Sequence, residues 1–109
     1  MIYKRYDICL ADLNPTRGSE INKTRPVVIV SMDEMNRHLE TVVVCPLTTK
    51  IHIKWRSRIQ VNCGSKKSEI AVDQIRTLSK SRLIKKIDVL SHKASEELRE
   101  LISEMYGNG

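Results

Sequence analysis

Two short apolar segments limit most strictly what this chain can fold into. Segments 26–30 (PVVIV) and 41–45 (TVVVC) are apolar or β-branched at successive positions, so both of their faces must be buried. Such segments are typical of central strands, in which β-branched side chains pack well. Pro26 opens the first segment and Pro46 follows the second, where we expect the strands to begin and to end. The core is therefore predicted to form around these central strands.

Further strands are predicted on both sides of these two. Residues 7–13 have the pattern of a half-buried strand, and residues 58–62 alternate between apolar and polar side chains. Residues 69–78 predict a longer strand whose apolar positions change parity, so we expect a bulge or bend near Gln74.

Helical patterns are confined to two places. Residues 31–39 predict a short helical turn capped by Ser31 or Asp33. A C-terminal helix is predicted after Ser91, its N-cap, and is expected to end at residues 107–109, because apolar residues recur at helical spacing at Leu98, Leu101, Ile102 and Met105. Short strands followed by one helix favour a mainly β fold, a small curled β-barrel, in a single domain over residues 1–109.

The net charge of +6 is unevenly distributed along the chain. Residues 1–49 hold equal numbers of basic and acidic residues, residues 50–86 carry a net +9, and residues 87–109 carry a net −3. A concentrated basic segment indicates a polyanionic partner better than a diffuse charge does, although a solvated lysine-rich surface has the same composition. We expect the acidic terminal helix to face away from that partner.

Several classes of protein are excluded. Charged residues within the first thirteen positions rule out the apolar core of a signal peptide, and no apolar run approaches the ~20 residues of a membrane helix. Cys9, Cys45 and Cys63 show no zinc-binding spacing. Cys9 and Cys45 lie inside apolar strand-like runs, so we expect buried thiols in the reducing cytoplasm.

Candidate functional residues surround the predicted strand ends. The loop 13–24 is much longer than a hairpin requires, which is typical of functional loops, and Arg25 follows it at a strand edge, where its guanidinium could bind a phosphate. The other candidates are polar or aromatic residues of four segments: Arg17, Ser19 and Glu20; Thr48 and Thr49; Lys50, His52, Lys54, Trp55 and Arg56; and Asp73, Gln74 and Arg76. Each segment taken alone is also typical of an ordinary surface, and Trp55 could cap the barrel or fill a dimer contact instead of stacking on a base. His38, His52 and His92 show no paired arrangement and are interpreted as surface residues.

Taken together, these motifs resemble one known family. The series Asp12-Leu13-Asn14-Pro15 … Gly18-Ser19-Glu20 … Arg25-Pro26-Val27-Val28 … Pro46-Leu47-Thr48 … Asp73-Gln74-Ile75-Arg76 is similar, in order and over nearly the whole chain, to the MazF/PemK toxin endoribonucleases. The resemblance implies an SH3-like barrel that forms a homodimer, a cognate MazE-like antitoxin that is acidic and folds on binding, and a cytoplasmic location. It also implies cleavage of single-stranded RNA without a metal or other cofactor.

The resemblance places the catalytic pair at Arg25 and Thr48. The RNA 2′-OH would attack the adjacent phosphorus, leaving a 2′,3′-cyclic phosphate and a 5′-OH. Arg25 suits the stabilisation of the phosphorane because a guanidinium binds phosphate oxygens bidentately and stays charged. Glu20 is interpreted as an auxiliary base. Three departures from the family pattern concern loop detail: Tyr6 stands where a glycine is usual, Lys23-Thr24 replaces an often glycine-containing stretch, and the first strand lacks the frequent aromatic residue.

Two other functions fit the sequence less well. A gyrase-poisoning toxin similar to CcdB would share the barrel dimer but depends on a tryptophan in its C-terminal tail, whereas the only tryptophan here is Trp55. A non-catalytic RNA-binding barrel would have the same composition, and only the joint presence of Arg25 and Thr48 argues against it.

Overall fold

Strands of one antiparallel sheet make up most of the fold. The computed structural model describes residues 2–15, 17–21 and 23–107. Its strands are β1 (Asp7–Asp12), β2 (Thr24–Ile29), β3 (Thr41–Thr48), β4 (Arg58–Cys63), β5 (Lys66–Ala71), β6 (Arg76–Ser79) and β7 (Leu83–Val89). Its helices are α1 (Asp33–His38) and α2 (His92–Ile102), with short 3₁₀ turns at Val72–Gln74 and Lys80–Arg82 and a π-helical turn at Ser103–Gly107.

The sheet curls because β3 changes partners along its length. The order is β4-β5-β3-β2-β1-β7, and β6 pairs with the first half of β3 while β5 pairs with its last two residues. The result is the curled, barrel-like sheet with a C-terminal helix that the sequence predicts.

Alternate residues of the central strands enter two separate cores, because successive side chains of a strand point to opposite faces. Ile8 of β1 and Val28 of β2 belong to one hydrophobic cluster, which is covered by Leu98 of α2. Cys9 and Val27, their neighbours in sequence, belong to the second cluster. Since both faces of β1 and β2 are covered, the strands have the continuous apolar sequences noted above.

Pro46 does not end the strand, contrary to the sequence prediction. β3 continues to Thr48. On the side away from β2, the ladder to β6 stops at Val44 and the ladder to β5 begins at Leu47. Pro46 lies in the gap between these ladders, so its missing N–H removes no hydrogen bond from either.

Pro26 likewise lies inside its strand. β2 begins at Thr24, two residues earlier than predicted. The ladder to β3 begins only at Val27, so Pro26 lies at the end of that ladder and its missing N–H is tolerated there.

Residues 69–78 form two strands instead of one. β5 ends at Ala71, the 3₁₀ turn Val72–Gln74 follows, and β6 begins at Arg76. The change of parity in the sequence is therefore a complete break, which moves the chain from one stretch of β3 to another. The structure also contains β7, an edge strand with two register shifts against β1 that the sequence pattern does not reveal.

The caps of the two helices differ. Ser91 caps α2 as predicted, since its Oγ accepts a hydrogen bond from the Ala94 N–H at 3.2 Å. The predicted capping of α1 is wrong: its N-cap is Met32, which makes no side-chain cap hydrogen bond. Ser31 instead accepts from the Val43 N–H, and Asp33 accepts from the Arg5 N–H. The end of the predicted C-terminal helix, at Asn108 and Gly109, lies outside the described residues.

The thiols of Cys9 and Cys45 are buried, as predicted. Burial, reinforced by the charge of Asp7, raises the pKa of Cys9 to about 11. Burial and the charge of Asp73 raise the pKa of Cys45 to about 12. Both thiols therefore stay protonated at neutral pH. No helix in the described part of the chain is long and apolar enough to cross a membrane.

Candidate active site

A groove lies at the end of β3. It encloses about 370 Å³ and lies between the long β1–β2 loop, the β3–β4 loop and the 3₁₀ turn before β6. Most of its lining consists of polar or aromatic residues that the sequence singles out, namely Ser19, Thr48, Lys50, His52, Trp55, Asp73 and Gln74, joined by Ile21 and Arg58.

Arg25 and Thr48 come together beside this groove. Val27 pairs with Pro46 across the β2–β3 ladder, and the same register extended by two residues sets Arg25 opposite Thr48. Both side chains line a smaller pocket of about 130 Å³, to which Thr49 also contributes. Thr48 lines the groove as well, so it joins the two cavities. The Thr48 Oγ1 accepts a hydrogen bond from the main-chain N–H of Lys50 at 3.2 Å, so the start of the β3–β4 loop lies next to the Thr48 hydroxyl.

Glu20 lines a different pocket from the one that Arg25 and Thr48 share. Its Oε1 accepts a hydrogen bond from the Arg17 N–H at 2.8 Å, which closes a turn within the loop. With Asp73, Gln74 and Arg76 it lines a third pocket of about 180 Å³. Glu20 is not among the residues that line the pocket of Arg25 and Thr48, although the third pocket shares Asp73 and Gln74 with the groove.

The long loop is fastened to the residues around the groove by two part-buried hydrogen bonds. Gln74 accepts from the Ile21 N–H at 2.6 Å. The Arg76 guanidinium donates to the Leu13 carbonyl at 3.4 Å, at the start of the same loop. Gln74 and Arg76 therefore help to shape the loop as well as line pockets. Thr16 and Asn22 of this loop lie outside the described residues.

The floor of the groove contains a buried ionic network that the sequence analysis missed. The Glu69 side chain is fully buried and that of Arg58 is 4% exposed. Arg58 donates to Glu69 Oε2 at 3.0 Å and to Asp73 Oδ1 at 2.8 Å. Gln60 also donates to Glu69, at 2.8 Å. A signal for this network was present: a two-residue turn at Gly64-Ser65 sets Glu69 opposite Gln60 and diagonal to Arg58.

These contacts keep the network ionised. Burial by itself would raise the pKa of Glu69, but hydrogen bonds from His52, Gln60 and Arg58 outweigh it and hold that pKa below its ordinary value. Burial would also raise the pKa of Asp73. The hydrogen bonds and the charge of Arg58 outweigh this effect, so the pKa of Asp73 is lowered as well. Burial would lower the pKa of Arg58, but the two carboxylates raise it. An arginine that is neutralised by two ionised carboxylates therefore lies beneath the groove.

His52 belongs to this network, so its interpretation as an unpaired surface residue is wrong. Its main-chain N–H donates to Glu69 Oε1 at 2.8 Å, and its Nδ1 lies 3.4 Å from Glu69 Oε2. The ring stacks on Trp55 with centroids 3.9 Å apart and planes 15° apart. The Arg58 guanidinium carbon lies 4.7 Å from the Trp55 ring centroid. Trp55 nevertheless remains 49% exposed.

Two basic candidates lie elsewhere. Arg56 is largely exposed and forms an ion pair with Glu104, beyond α2, so part of the acidic C-terminal segment contacts the basic loop. Lys54 is not among the residues that line the groove or the two adjoining pockets. Within the described ranges, no cluster of three or more His, Cys, Asp or Glu side chains is placed to hold a metal ion.

The site and fold together define a class of protein. A curled barrel that presents an arginine–threonine pair beside a groove lined by a lysine and an exposed indole is suited to contact phosphates and unstacked bases. The family model described as PemK-like, MazF-like toxin of type II toxin–antitoxin system matches residues 4–106. The chain belongs to this toxin family, as its motifs indicate.

Individual relatives agree with this assignment. The chain is 38% identical to the endoribonuclease MazF of Staphylococcus saprophyticus, over 95% of this chain and 91% of that protein. The crystal structure of MazF from Deinococcus radiodurans superposes with a TM-score of 0.87 at 17% identity, covering 99% of both chains. An endoribonuclease in complex with its cognate antitoxin from Mycobacterial species superposes with a TM-score of 0.82 at 20% identity, over 98% of this chain and 97% of that one. The structural matches at these low identities establish the fold.

Proposed function

We propose that this chain is the toxin of a type II toxin–antitoxin system and an endoribonuclease that cleaves single-stranded mRNA at a short sequence. The observation that carries the proposal is the convergence of Arg25 and Thr48 on one pocket at the end of the groove. The 38% identity to a protein named endoribonuclease MazF supports the activity.

Arg25 is assigned to charge stabilisation. When the 2′-OH attacks, negative charge develops on the phosphorane oxygens, and a guanidinium held in a half-buried pocket binds those oxygens with two parallel hydrogen bonds. Thr48 adds a hydroxyl donor from the facing strand. With this charge stabilisation supplied by the chain's own residues, we propose a reaction that needs no metal ion or other cofactor. Its products are a 2′,3′-cyclic phosphate and a 5′-OH.

Glu20 remains the auxiliary base suggested by the loop motif. Its hydrogen bond to the Arg17 N–H and its place in the neighbouring pocket mean that it would have to leave this turn to reach a 2′-OH beside Thr48. Replacement of Glu20 by Gln tests this role directly.

Binding of the RNA strand is assigned to the groove lining. Lys50 is exposed beside Thr48 and would contact a phosphate, while the exposed part of Trp55 would stack on a base. Ser19, Thr49, His52, Asp73 and Gln74 supply polar contacts in or next to the groove, and Arg17, Lys54, Arg56 and Arg76 add charge around it. Stacking and base-edge contacts of this kind favour unpaired RNA.

The biological setting follows from the family. We propose a single domain over residues 1–109 that forms a homodimer in the cytoplasm and is inhibited by a MazE-like antitoxin. Similar folds occur in an endoribonuclease bound to its cognate antitoxin and in MazE–MazF complexes. An acidic segment that folds on binding would complement the basic residues around the groove.

Incubation of the purified protein with long single-stranded RNA in EDTA tests the proposed activity. We expect discrete fragments whose 5′-OH ends map to one recurrent short sequence. Binding without cleavage would indicate the non-catalytic RNA-binding barrel instead, and cleavage that requires added Mg²⁺ would contradict the metal-independent mechanism.

A further inference from the structure

The network beneath the groove includes a histidine whose position is suited to proton transfer. We propose that His52 is the general base that removes the 2′-OH proton during RNA cleavage. This inference rests on the proposed endoribonuclease function, adds a catalytic residue to it, and assigns to His52 the 2′-OH proton that the loop motif would give to Glu20.

The orientation of the His52 ring is fixed on three sides. Its main-chain N–H is bound to Glu69 Oε1, its Nδ1 edge faces Glu69 Oε2 at 3.4 Å, and its face stacks on Trp55. Glu69 is fully buried and is itself held by Arg58 and Gln60. A carboxylate at Nδ1 favours the tautomer that carries its proton there. The Nε2 lone pair is then the basic atom of the ring.

That basic atom has room to meet RNA. Within the described ranges, the His52 Nε2 makes no hydrogen bond to protein, and the His52 side chain is 26% exposed. His52 lines the same groove as Thr48, which in turn shares a pocket with Arg25. For this proton transfer, the ribose next to a phosphodiester held by Arg25 and Thr48 has to lie in the groove against His52.

Charged groups from several elements surround the His52 ring. Glu69 approaches from β5 and Arg58 from β4, while Lys50 of the same loop and Asp73 of the 3₁₀ turn line the groove beside it. Arg58 is already paired with both carboxylates. The charge gained by His52 on protonation is therefore faced by an anionic partner at Nδ1.

The proposed step conserves atoms and electrons. Nε2 of His52 takes the 2′-OH proton while the 2′-oxygen forms its bond to phosphorus, and the bond between phosphorus and the 5′-oxygen breaks with its electron pair on the 5′-oxygen. Water protonates that leaving oxygen. The imidazolium then returns its proton to solvent, leaving the cyclic phosphate and the 5′-OH fragment.

The test uses His52→Asn, which keeps an amide donor for Glu69 and removes the proton acceptor. The matched control is His38→Asn, at an exposed histidine at the end of α1. We expect His52→Asn to lower the single-turnover rate at saturating RNA about 100-fold. It should also flatten the dependence of the rate on pH, because the group that accepts the proton is gone. Binding of RNA with a 2′-deoxy sugar at the mapped cleavage site should be little changed, and circular dichroism should confirm that the variant is folded.

A modified substrate separates a base from an acid. RNA with sulphur in place of the bridging 5′-oxygen has a leaving group that needs no proton, so it would restore the rate of a variant that lacks the general acid. We expect no such rescue of His52→Asn. Rescue would overturn the assignment of His52 as the base.

Two further outcomes are decisive. Retention of the wild-type rate and pH profile by His52→Asn, or loss of the pH dependence in Glu20→Gln instead, would overturn the role of His52 while leaving the endoribonuclease function intact. Absence of cleavage by the unaltered protein would overturn the proposed function, and the inference with it.

Discussion

Glu69 and Asp73 together hold the Arg58 guanidinium in the floor of the groove. A buried ion pair adds little net stability when compared with an apolar pair. The loss of one partner is nevertheless costly, because it leaves the other charge buried without a compensating group. The shape of the groove therefore depends on Glu69, Asp73 and Arg58 remaining ionised. The Glu69 carboxylate also orients His52, so the stability of the network and the geometry of the site both depend on the Glu69 side chain.

Acid should destabilise the protein through this network. Because the pKa of Glu69 is lowered in the folded state, its contribution is present above the ordinary glutamate value of 4.5 and is lost as pH falls through the lower folded pKa. We expect the free energy of unfolding, measured in urea, to fall below about pH 4.5. Glu69→Gln should lose about 3 kcal/mol at neutral pH and show a weaker acid dependence.

Glu97→Gln is the matched control for that experiment, since Glu97 is exposed on α2. It should retain both the stability and the acid dependence of the wild-type protein. An acid dependence unchanged in Glu69→Gln would show that other carboxylates govern it.

At the level of elements, α2 covers one of the two cores and begins at a single side-chain cap. Ser91→Ala removes the acceptor of the Ala94 N–H and should lower the free energy of unfolding by about 1 kcal/mol. Ser91→Asp keeps an acceptor at the same place and should preserve stability. Thermal and urea unfolding of the two variants would check this, and equal losses in both would argue against the cap as the cause.

The strands show where sequence patterns suffice and where they fail. Periodicity and β-branched composition locate β1, β2, the first part of β3 and β4, because each buries a face along its length. The break after Ala71 depends on β3 exchanging β5 for β6, a tertiary pairing that a local pattern does not encode. β7 was missed because it is mostly exposed along the edge of the sheet.

The site shows the same division. Motif order predicted Arg25 and Thr48, which the structure brings to one pocket. The pairing of His52 with Glu69 depends on the register of the β4–β5 hairpin and on the loop before it, so it could not be read from spacing alone. Two departures from the family pattern now have a backbone context: Tyr6 and Lys23 both have positive φ, 73° and 68°, a conformation that favours glycine.

At the scale of the whole molecule, the charge distribution is less segregated than the sequence indicates. The basic segment 50–86 supplies Lys50 and Arg58 to the groove, but Arg56 is paired with Glu104 of the acidic C-terminal segment. Part of the acidic C-terminal segment therefore contacts the basic loop, while the orientation of the terminal helix away from RNA stays a prediction. RNA binding should depend on the basic residues that remain accessible around the groove.

Salt dependence of binding tests that view. The affinity for a non-cleavable 2′-O-methyl RNA should fall linearly on a logarithmic plot against salt concentration. Lys50→Ala should reduce the slope by roughly 0.7, the value for one phosphate contact on a single strand. Lys93→Ala, at an exposed position on α2, should leave the slope unchanged. Equal effects of the two substitutions would show that the groove is not the RNA footprint.

The most direct test of the account is the single-turnover cleavage rate of Arg25→Ala in EDTA on RNA that carries the mapped sequence. Arg37→Ala, at an exposed arginine of α1, is the matched control. We predict that Arg25→Ala, folded by circular dichroism, loses about 10²- to 10³-fold in rate because the phosphorane charge is no longer stabilised, while Arg37→Ala retains full activity. Undiminished cleavage by Arg25→Ala would contradict the account.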